Sequence, residues 1–190
     1  MSPPKTVKSE KRYSGKVFNL ILDEVEYPSG NRGIREVAEH PGGSVVVPLF
    51  DDGSVLLVQQ FRYPVKKELY ELPAGKLDPG ENPDHCAARE LEEETGFVTA
   101  SMRKLTAFYT TPGFCSEQLH IYVATGLKKS PHGQKLEEGE MDLKLKQLPF
   151  EQAIKMIEQG EIVDSKTICG ILLADRKLRT SAKDFPAETR

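Results

Sequence analysis

One predicted helix, with four glutamates crowded at its carboxyl end, constrains this 190-residue chain more than any other feature. Asn82 followed by Pro83 is a typical helix start, because asparagine caps the first turn and proline suits the first helical position. A glycine just past the last turn is a typical helix end, so the helix is predicted to run to about Thr95, before Gly96. The four glutamates, all between residues 90 and 94, lie in its last two turns.

Carboxylates at this end of a helix are unfavourable. The carboxyl end carries partial negative charge, so each glutamate there costs about 0.3–1 kcal/mol, and neighbouring like charges add to that cost. Arg89 offsets the charge locally, but a helix selected for stability alone would carry lysines at these positions. Hard divalent cations are bound by carboxylate oxygens. The pattern therefore favours a metal site over the alternative, which is a solvated charged face.

The helical period places the glutamates on one side of this helix. At about 100° per residue, Glu90, Glu93 and Glu94 share one stripe along the surface. The neighbouring pair Ala87 and Ala88 is expected to face the hydrophobic core instead. The predicted metal ligands would then project together, away from the core.

The rest of the chain alternates between predicted strands and helices. Strands are expected at Ser44 to Phe50, Val55 to Phe61, near Met102 to Thr110, Gln118 to Ala124 and Leu143 to Leu148; further helices are expected at Phe150 to Gln159 and Ser165 to Leu178; and Lys128 to Gly139 is expected to be a polar loop. This order indicates an α/β sandwich rather than a repeating βαβ array.

The N-terminal segment is predicted to be an appendage. Residues 1 to about 14 are expected to be a loosely held tail. Alternating residues from Val17 to Glu26, a turn at residues 27–30 and a returning strand from Ile34 to Ala38 predict a hairpin. A lone hairpin is marginal in water, so it is expected to dock on another surface. The predicted units are therefore residues 1–40 and 41–190.

Composition excludes several classes of function. A formal net charge of −3 without a cluster of basic residues argues against a nucleic-acid partner. No apolar run approaches the roughly 20 residues of a membrane span, so no membrane association is expected. A polar start and three scattered cysteines are expected of a cytoplasmic protein with reduced thiols.

The segment from residue 75 to residue 97 resembles the signature of the Nudix hydrolases. The family pattern is glycine, five residues, glutamate, seven residues, Arg-Glu-apolar, any residue, Glu-Glu, any residue, glycine, apolar. This chain supplies it without departure as Gly75, Glu81, Arg89-Glu90-Leu91, Glu93-Glu94 and Gly96-Phe97. The resemblance implies a loop-helix-loop metal site on a Nudix α/β/α sandwich of mixed sheets, with an N-terminal antiparallel β extension.

Sequences flanking this signature resemble the ADP-ribose pyrophosphatase group of the family. The resemblance is carried by Gln59-Gln60-Phe61-Arg62-Tyr63, Glu71-Leu72-Pro73-Ala74-Gly75, Thr111-Pro112-Gly113 and Glu137-Glu138-Gly139-Glu140. It implies a pyrophosphatase that hydrolyses ADP-ribose to AMP and ribose 5-phosphate. Alternatives are GDP-mannose or another sugar nucleotide, a nucleoside triphosphate pyrophosphohydrolase, and a non-catalytic Nudix-like ligand sensor.

The resemblance also implies roles for individual residues. Metal ligands would be the backbone carbonyl of Ala74 with Glu90, Glu93, Glu94 and Glu140, and the ion would be Mg²⁺ or Mn²⁺. Arg89 would orient the glutamates, Glu81 would be a structural partner of the loop, and the substrate contacts would be Arg62, Arg35 and Phe18. The catalytic base would be Glu140 or Glu138, with Glu93 as the next candidate. The N-terminal segment would be exchanged across a homodimer with shared active sites.

Overall fold

In the computed structural model, the described residues 2–184 form ten strands and three helices; side chains are described through residue 178. The elements are β1 Lys5–Ser14, β2 Asn19–Glu26, β3 Arg32–Glu39, β4 Gly43–Pro48, β5 Ser54–Arg62, β6 Lys67–Glu71, β7 Ala74–Lys76, α1 Pro83–Thr95, β8 Phe97–Tyr109, β9 Gln118–Lys129, β10 Lys144–Pro149, α2 Phe150–Glu158 and α3 Ser165–Asp184, with a short 3-10 turn at Glu138–Glu140. The last six residues of the predicted second unit, 185–190, lie outside the described residues.

A mixed four-stranded sheet forms the centre, in the order β7-β4-β9-β8. Strands β4 and β9 are parallel, and the other pairs are antiparallel. The valines of β4 are all buried, because both faces of this strand are covered. Val46 packs with Leu91 of α1, whereas Val45 and Val47 belong to the larger hydrophobic cluster on the opposite face.

That larger cluster joins the central sheet to a second, antiparallel sheet in the order β10-β5-β6 and to helices α2 and α3. Leu57 of β5, Leu148 of β10 and Ile171 of α3 are buried within it. Helix α1 lies on one side of the central sheet, and the second sheet with α2 and α3 lies on the other. The predicted α/β sandwich of mixed sheets with an N-terminal antiparallel extension is confirmed.

Helix α1 begins and ends where the sequence predicts. The side chain of Asn82 accepts a hydrogen bond from the backbone N–H of Asp84 at 2.8 Å, and Pro83 occupies the first turn. Gly96 adopts a left-handed conformation with φ of 71°, which favours glycine. Ala87 is buried as expected, but the expectation for Ala88 is wrong, since this residue is exposed. Adjacent helical residues point about 100° apart, so only one of the pair faces the sheet.

The N-terminal segment is a three-stranded antiparallel sheet in the order β1-β2-β3. The predicted hairpin corresponds to β2 and β3, but the predicted loose tail is wrong for residues 5–14, which pair with β2 along their whole length. Strand β1 was missed because it is almost entirely exposed and carries no apolar face. The sheet meets the body through backbone hydrogen bonds, such as that from Ala38 N–H to the carbonyl oxygen of Phe114 at 2.8 Å.

Other differences concern strand lengths. The sequence analysis did not predict β6 and β7, and both β8 and β9 are longer than expected. Because β9 continues to Lys129, the polar loop starts about two residues later than predicted. Within the described residues, no helix has both the length and the apolar character needed to cross a membrane.

Candidate active site

The glutamates of α1 lie against β7 and the loop that precedes it. Glu94 is 2% exposed, and its Oε2 accepts a hydrogen bond from the backbone N–H of Ala74 at 3.0 Å. Glu90 is also buried, and its carboxylate lies directly on Gly75. A Cβ at residue 75 would overlap the carboxylate of Glu90, so the present position of this side chain depends on glycine.

Arg89 forms hydrogen bonds with three carboxylates. Its Nε and Nη2 donate to the two oxygens of Glu81, each at 2.9 Å. Its Nη1 donates to Glu90 at 2.7 Å and to Glu93 at 3.0 Å. The hydrogen bonds from Arg89 lower the pKa of Glu81 to about 2, against some opposing effect of burial. Arg89 therefore joins Glu81, Glu90 and Glu93 in one hydrogen-bonded group.

Two of the buried carboxylates lie in surroundings that favour their protonated forms. Burial raises the pKa of Glu94 to about 8, although the hydrogen bond from Ala74 opposes this rise, and the charges of Glu90 and Glu140 add to it. Burial likewise raises the pKa of Glu90 to about 7, with the charge of Arg89 opposing. A cation bound between these side chains would favour their ionised forms instead.

The donor set fits a hard divalent cation, because it consists of carboxylate oxygens. Within the part of the chain that the structure describes, no group of three or more aspartate, glutamate, histidine or cysteine side chains is arranged to hold a metal ion. Nη1 of Arg89 donates to both Glu90 and Glu93. The glutamates thus have the ligand chemistry of a metal site, with the arginine bound to two of them.

A charged cleft of about 840 Å³ opens in front of Glu90 and Glu93, and its described lining carries basic as well as acidic side chains. Its walls come from α1, from β7, from Arg62 and from the loop that carries Lys135, Glu137 and Glu140. Glu140 contributes to the raised pKa values of both buried glutamates, after burial itself. Of the two loop glutamates predicted as the base, only Glu140 is among the described residues that line this cleft.

Arg62 lies at the end of β5 and faces the same cleft. Its Nε and Nη2 donate to the two carboxylate oxygens of Glu71 at 2.7 and 2.6 Å. Glu71 is 1% exposed, whereas the side chain of Arg62 is 40% exposed. The buried carboxylate therefore holds one edge of the guanidinium and leaves the other edge accessible.

A second, apolar cavity of about 1020 Å³ adjoins the cleft, between the N-terminal sheet and the loop after β8. Phe18, Ile34 and Phe114 line it and are exposed. Arg35 also lines it, and its guanidinium donates to the hydroxyl of Tyr27. The structure therefore brings the predicted substrate residues Phe18 and Arg35 together here, away from Arg62 and the glutamates.

His40 was given no role by the sequence, although this residue lines both the charged cleft and the apolar cavity. Its Nδ1 accepts a hydrogen bond from the backbone N–H of Gly42 at 3.0 Å. Its backbone N–H donates to the hydroxyl of Ser116 at 2.8 Å. The position of His40 depends on contacts across 76 residues of sequence, so no local pattern could have indicated it.

Comparison with known proteins agrees with this geometry. A NUDIX domain is matched over residues 40–169. A solved structure described as an ADP compounds hydrolase aligns with a TM-score of 0.82, covering 95% of this chain and 97% of that chain. Sequence identity to that structure is 20%, so this likeness concerns the fold alone.

Several relatives are similar in sequence. The chain is 41% identical to the ADP-ribose pyrophosphatase of Bacillus subtilis, over 88% of this chain and 90% of that protein. It is also 41% identical, with the same coverage, to the methanol dehydrogenase activator of Bacillus methanolicus. The GDP-mannose pyrophosphatase of Yersinia enterocolitica is 35% identical over 80% of this chain and 81% of that protein.

Proposed function

Since the chain belongs to the NUDIX family, we propose that it is a divalent-cation-dependent hydrolase that cleaves ADP-ribose into AMP and ribose 5-phosphate. The observation that carries the proposal is the group of α1 glutamates: Glu90 and Glu93 line a cleft that also contains Arg62, and the buried Glu94 is hydrogen-bonded to Ala74 on the same wall of that cleft. A site of this kind suits a substrate whose diphosphate is bound together with a metal ion.

The metal ion would be held by Glu90, Glu93 and Glu94, with the carbonyl oxygen of Ala74 and with Glu140 from the loop. When bound, Mg²⁺ or Mn²⁺ would neutralise phosphate charge and lower the pKa of a coordinated water. The raised pKa values of the two buried glutamates support this ligand set, because a bound cation would favour their ionised forms.

Glu140 is the proposed base that accepts a proton from the attacking water. It lines the cleft and lies close enough to the buried glutamates for its charge to affect them. Its own Oε2 accepts a hydrogen bond from the backbone N–H of Glu137 at 3.0 Å, which fixes its side chain at the start of the 3-10 turn. Glu138 remains the alternative base, because loop residues can reorient when substrate binds.

The two cavities support a division of the substrate between them. Arg62 would bind the diphosphate through its accessible N–H groups. The nucleobase would enter the apolar cavity, where Phe18 is exposed for stacking and Arg35 can contact a ribose or phosphate oxygen. His40 would lie beside the part of the substrate that connects these groups.

The protein is also proposed to form a homodimer in which the N-terminal sheet contributes to the partner's site. Val25 is the one fully buried residue among residues 2–39, so the described sheet has little core of its own. Val17, Phe18 and Ile34 expose apolar surface beside the apolar cavity. A second copy would cover this surface.

The similar proteins favour ADP-ribose over GDP-mannose. Two relatives, at 41% and 37% identity, are ADP-ribose pyrophosphatases, another at 41% is named for activating a dehydrogenase, and a GDP-mannose pyrophosphatase is more distant at 35%. GDP-mannose is therefore kept as the second candidate substrate, since both would use the same diphosphate chemistry.

Substrate choice is tested with a panel of ADP-ribose, GDP-mannose, other sugar nucleotides and nucleoside triphosphates, each assayed with Mg²⁺. We expect kcat/KM for ADP-ribose to exceed that for GDP-mannose, and triphosphates to be poor substrates. Glu93→Gln should be inactive toward the whole panel, whereas Glu92→Gln is the matched control, since Glu92 bonds to Ser130 outside the cleft. If the wild type prefers GDP-mannose, that compound becomes the assigned substrate. If the wild type is inactive toward the whole panel, the proposed function is refuted.

A further inference from the structure

Arg62 belongs to a cluster of four charges that reaches from the cleft to the first turn of α3. Lys166 donates to the same Oε2 of Glu71 that accepts from Arg62, and its Nζ lies 3.0 Å from Oδ1 of Asp164. The side chains of Lys166 and Asp164 are 14% and 16% exposed. Two cations and two carboxylates therefore balance each other in a poorly solvated position.

The same turn of α3 is fixed to the chain just before β7. The hydroxyl and the backbone N–H of Thr167 donate to Oδ2 of Asp164 at 2.6 and 3.0 Å. The backbone N–H of Leu72, next to Glu71, donates to the hydroxyl of Thr167 at 2.8 Å. Gly170, one turn further, allows Leu72 to pack closely on the helix, since a Cβ there would lie 2.5 Å from its Cδ1. These contacts fix the position of the start of α3 relative to Glu71.

Arg62, Asp164 and Lys166 also line one continuous hollow of about 420 Å³ beside the cleft, with Ala74 and Gly75 on its other wall. Arg62, Ala74 and Gly75 line the charged cleft as well. The charge cluster therefore borders the space that the proposed substrate's diphosphate would enter.

From this arrangement we propose that Lys166 is a positioning residue for Arg62, and that it keeps the arginine's charge available to the substrate diphosphate. Without Lys166, Arg62 would face two poorly solvated carboxylates alone, and the cluster would carry a net negative charge. The guanidinium would then be drawn toward Asp164 and would bind an anion weakly. The inference rests on the proposed function, because it assumes that Arg62 binds a diphosphate.

The charge of the cluster can be changed in both directions by single substitutions. Lys166→Met keeps most of the unbranched side chain but removes its charge. It should raise KM for ADP-ribose about ten-fold or more, with kcat changed little, because ground-state and transition-state binding weaken together. Asp164→Asn retains an acceptor for the first turn of α3 and should lower KM about three-fold, since the cluster becomes positive. The double variant should return KM to near the wild-type value, and Lys166→Arg should preserve it.

A merely structural Lys166 predicts a different result. Lys166→Met would then lower Tm while leaving KM unchanged, and Asp164→Asn would not lower KM. Lys155→Met, on the exposed side of α2, is the control for removing a lysine and should leave both KM and Tm unchanged. If Lys166→Met does not fold, an unchanged KM in Asp164→Asn is sufficient to overturn the inference.

Calorimetric binding of inorganic diphosphate to the metal-free protein separates this inference from the proposed function. We expect the Kd to follow the charge of the cluster: highest in Lys166→Met, lowest in Asp164→Asn. If the wild type hydrolyses no sugar nucleotide but this order holds, the proposed function fails and the inference stands. If the wild type is active and neither Kd nor KM follows the charge, the inference fails alone.

Discussion

Replacing Glu94 with glutamine should abolish most activity and yet stabilise the metal-free protein. Glu94 is 2% exposed, and burial raises its pKa to about 8. Its ordinary pKa is 4.5, so at pH 7 the folded protein binds a proton at Glu94 that the unfolded chain has released, which costs about 3 kcal/mol at 1.36 kcal/mol per pH unit between pH 4.5 and 7. Glutamine has no charge and can still accept the hydrogen bond from Ala74.

The glutamine amide also introduces a donor without an assigned partner, which offsets about 1–2 kcal/mol of the gain. A net stabilisation of about 1–2 kcal/mol remains, which corresponds to a rise in Tm of about 2–8 °C for a chain of this size. Loss of activity is expected in the same variant, because the substitution removes a proposed metal ligand.

Thermal unfolding in chelator and in excess Mg²⁺, at pH 7.5, measures both effects. The Tm of the wild type should rise when Mg²⁺ is added. The Tm of Glu94→Gln should be higher than that of the wild type in chelator and should rise little with Mg²⁺. Glu92→Gln, on the same helix but bonded to Ser130, is the matched control and should keep both activity and the response to Mg²⁺. A Glu94→Gln protein that is less stable than the wild type in chelator, or fully active in Mg²⁺, would refute the reasoning.

Three further predictions concern pH, the base and the N-terminal sheet. Because burial raises the pKa of Glu94 to about 8 and of Glu90 to about 7, the folded metal-free protein binds more protons than the unfolded chain above about pH 4.5. Its free energy of unfolding should therefore fall as pH rises from 5 to 8, and urea titrations showing a rise would contradict the assignment. Glu140→Gln should lower kcat about 10²-fold with little change in KM, whereas Glu138→Gln should not; the reverse result would make Glu138 the base. Light scattering should detect a dimer, and deletion of residues 1–38 should give monomers or aggregates that bind substrate poorly; a soluble truncated monomer with normal affinity would exclude a shared site.

Features that depend on local chemistry were predictable from the sequence. Helix α1 was predicted with its cap at Asn82 and its end at Gly96, because each signal lies within a few residues of the backbone group that it satisfies. The stripe formed by Glu90, Glu93 and Glu94 follows from the helical period alone. The cost of placing carboxylates at a helix end gave a physical reason to expect a metal site there.

Features that depend on tertiary contacts were not predictable in the same way. Strand β1 has no apolar face, so only its ladder with β2 identifies it as a strand. Glu71 and Lys166 lie 95 residues apart, and His40 and Ser116 lie 76 apart. Nothing in the sequence near Arg62 indicates that its guanidinium is held by a buried carboxylate, because that contact arises only when β5, β6 and α3 pack together.

The decisive measurement is chromatography of the products that the intact protein forms from ADP-ribose, with Mg²⁺ and with chelator. We expect AMP and ribose 5-phosphate in equal amounts with Mg²⁺, and no cleavage in chelator or in Glu93→Gln with Mg²⁺. Cleavage that persists in chelator, or that survives Glu93→Gln unchanged, would contradict the assignment of the α1 glutamates as the metal site of a diphosphate hydrolase.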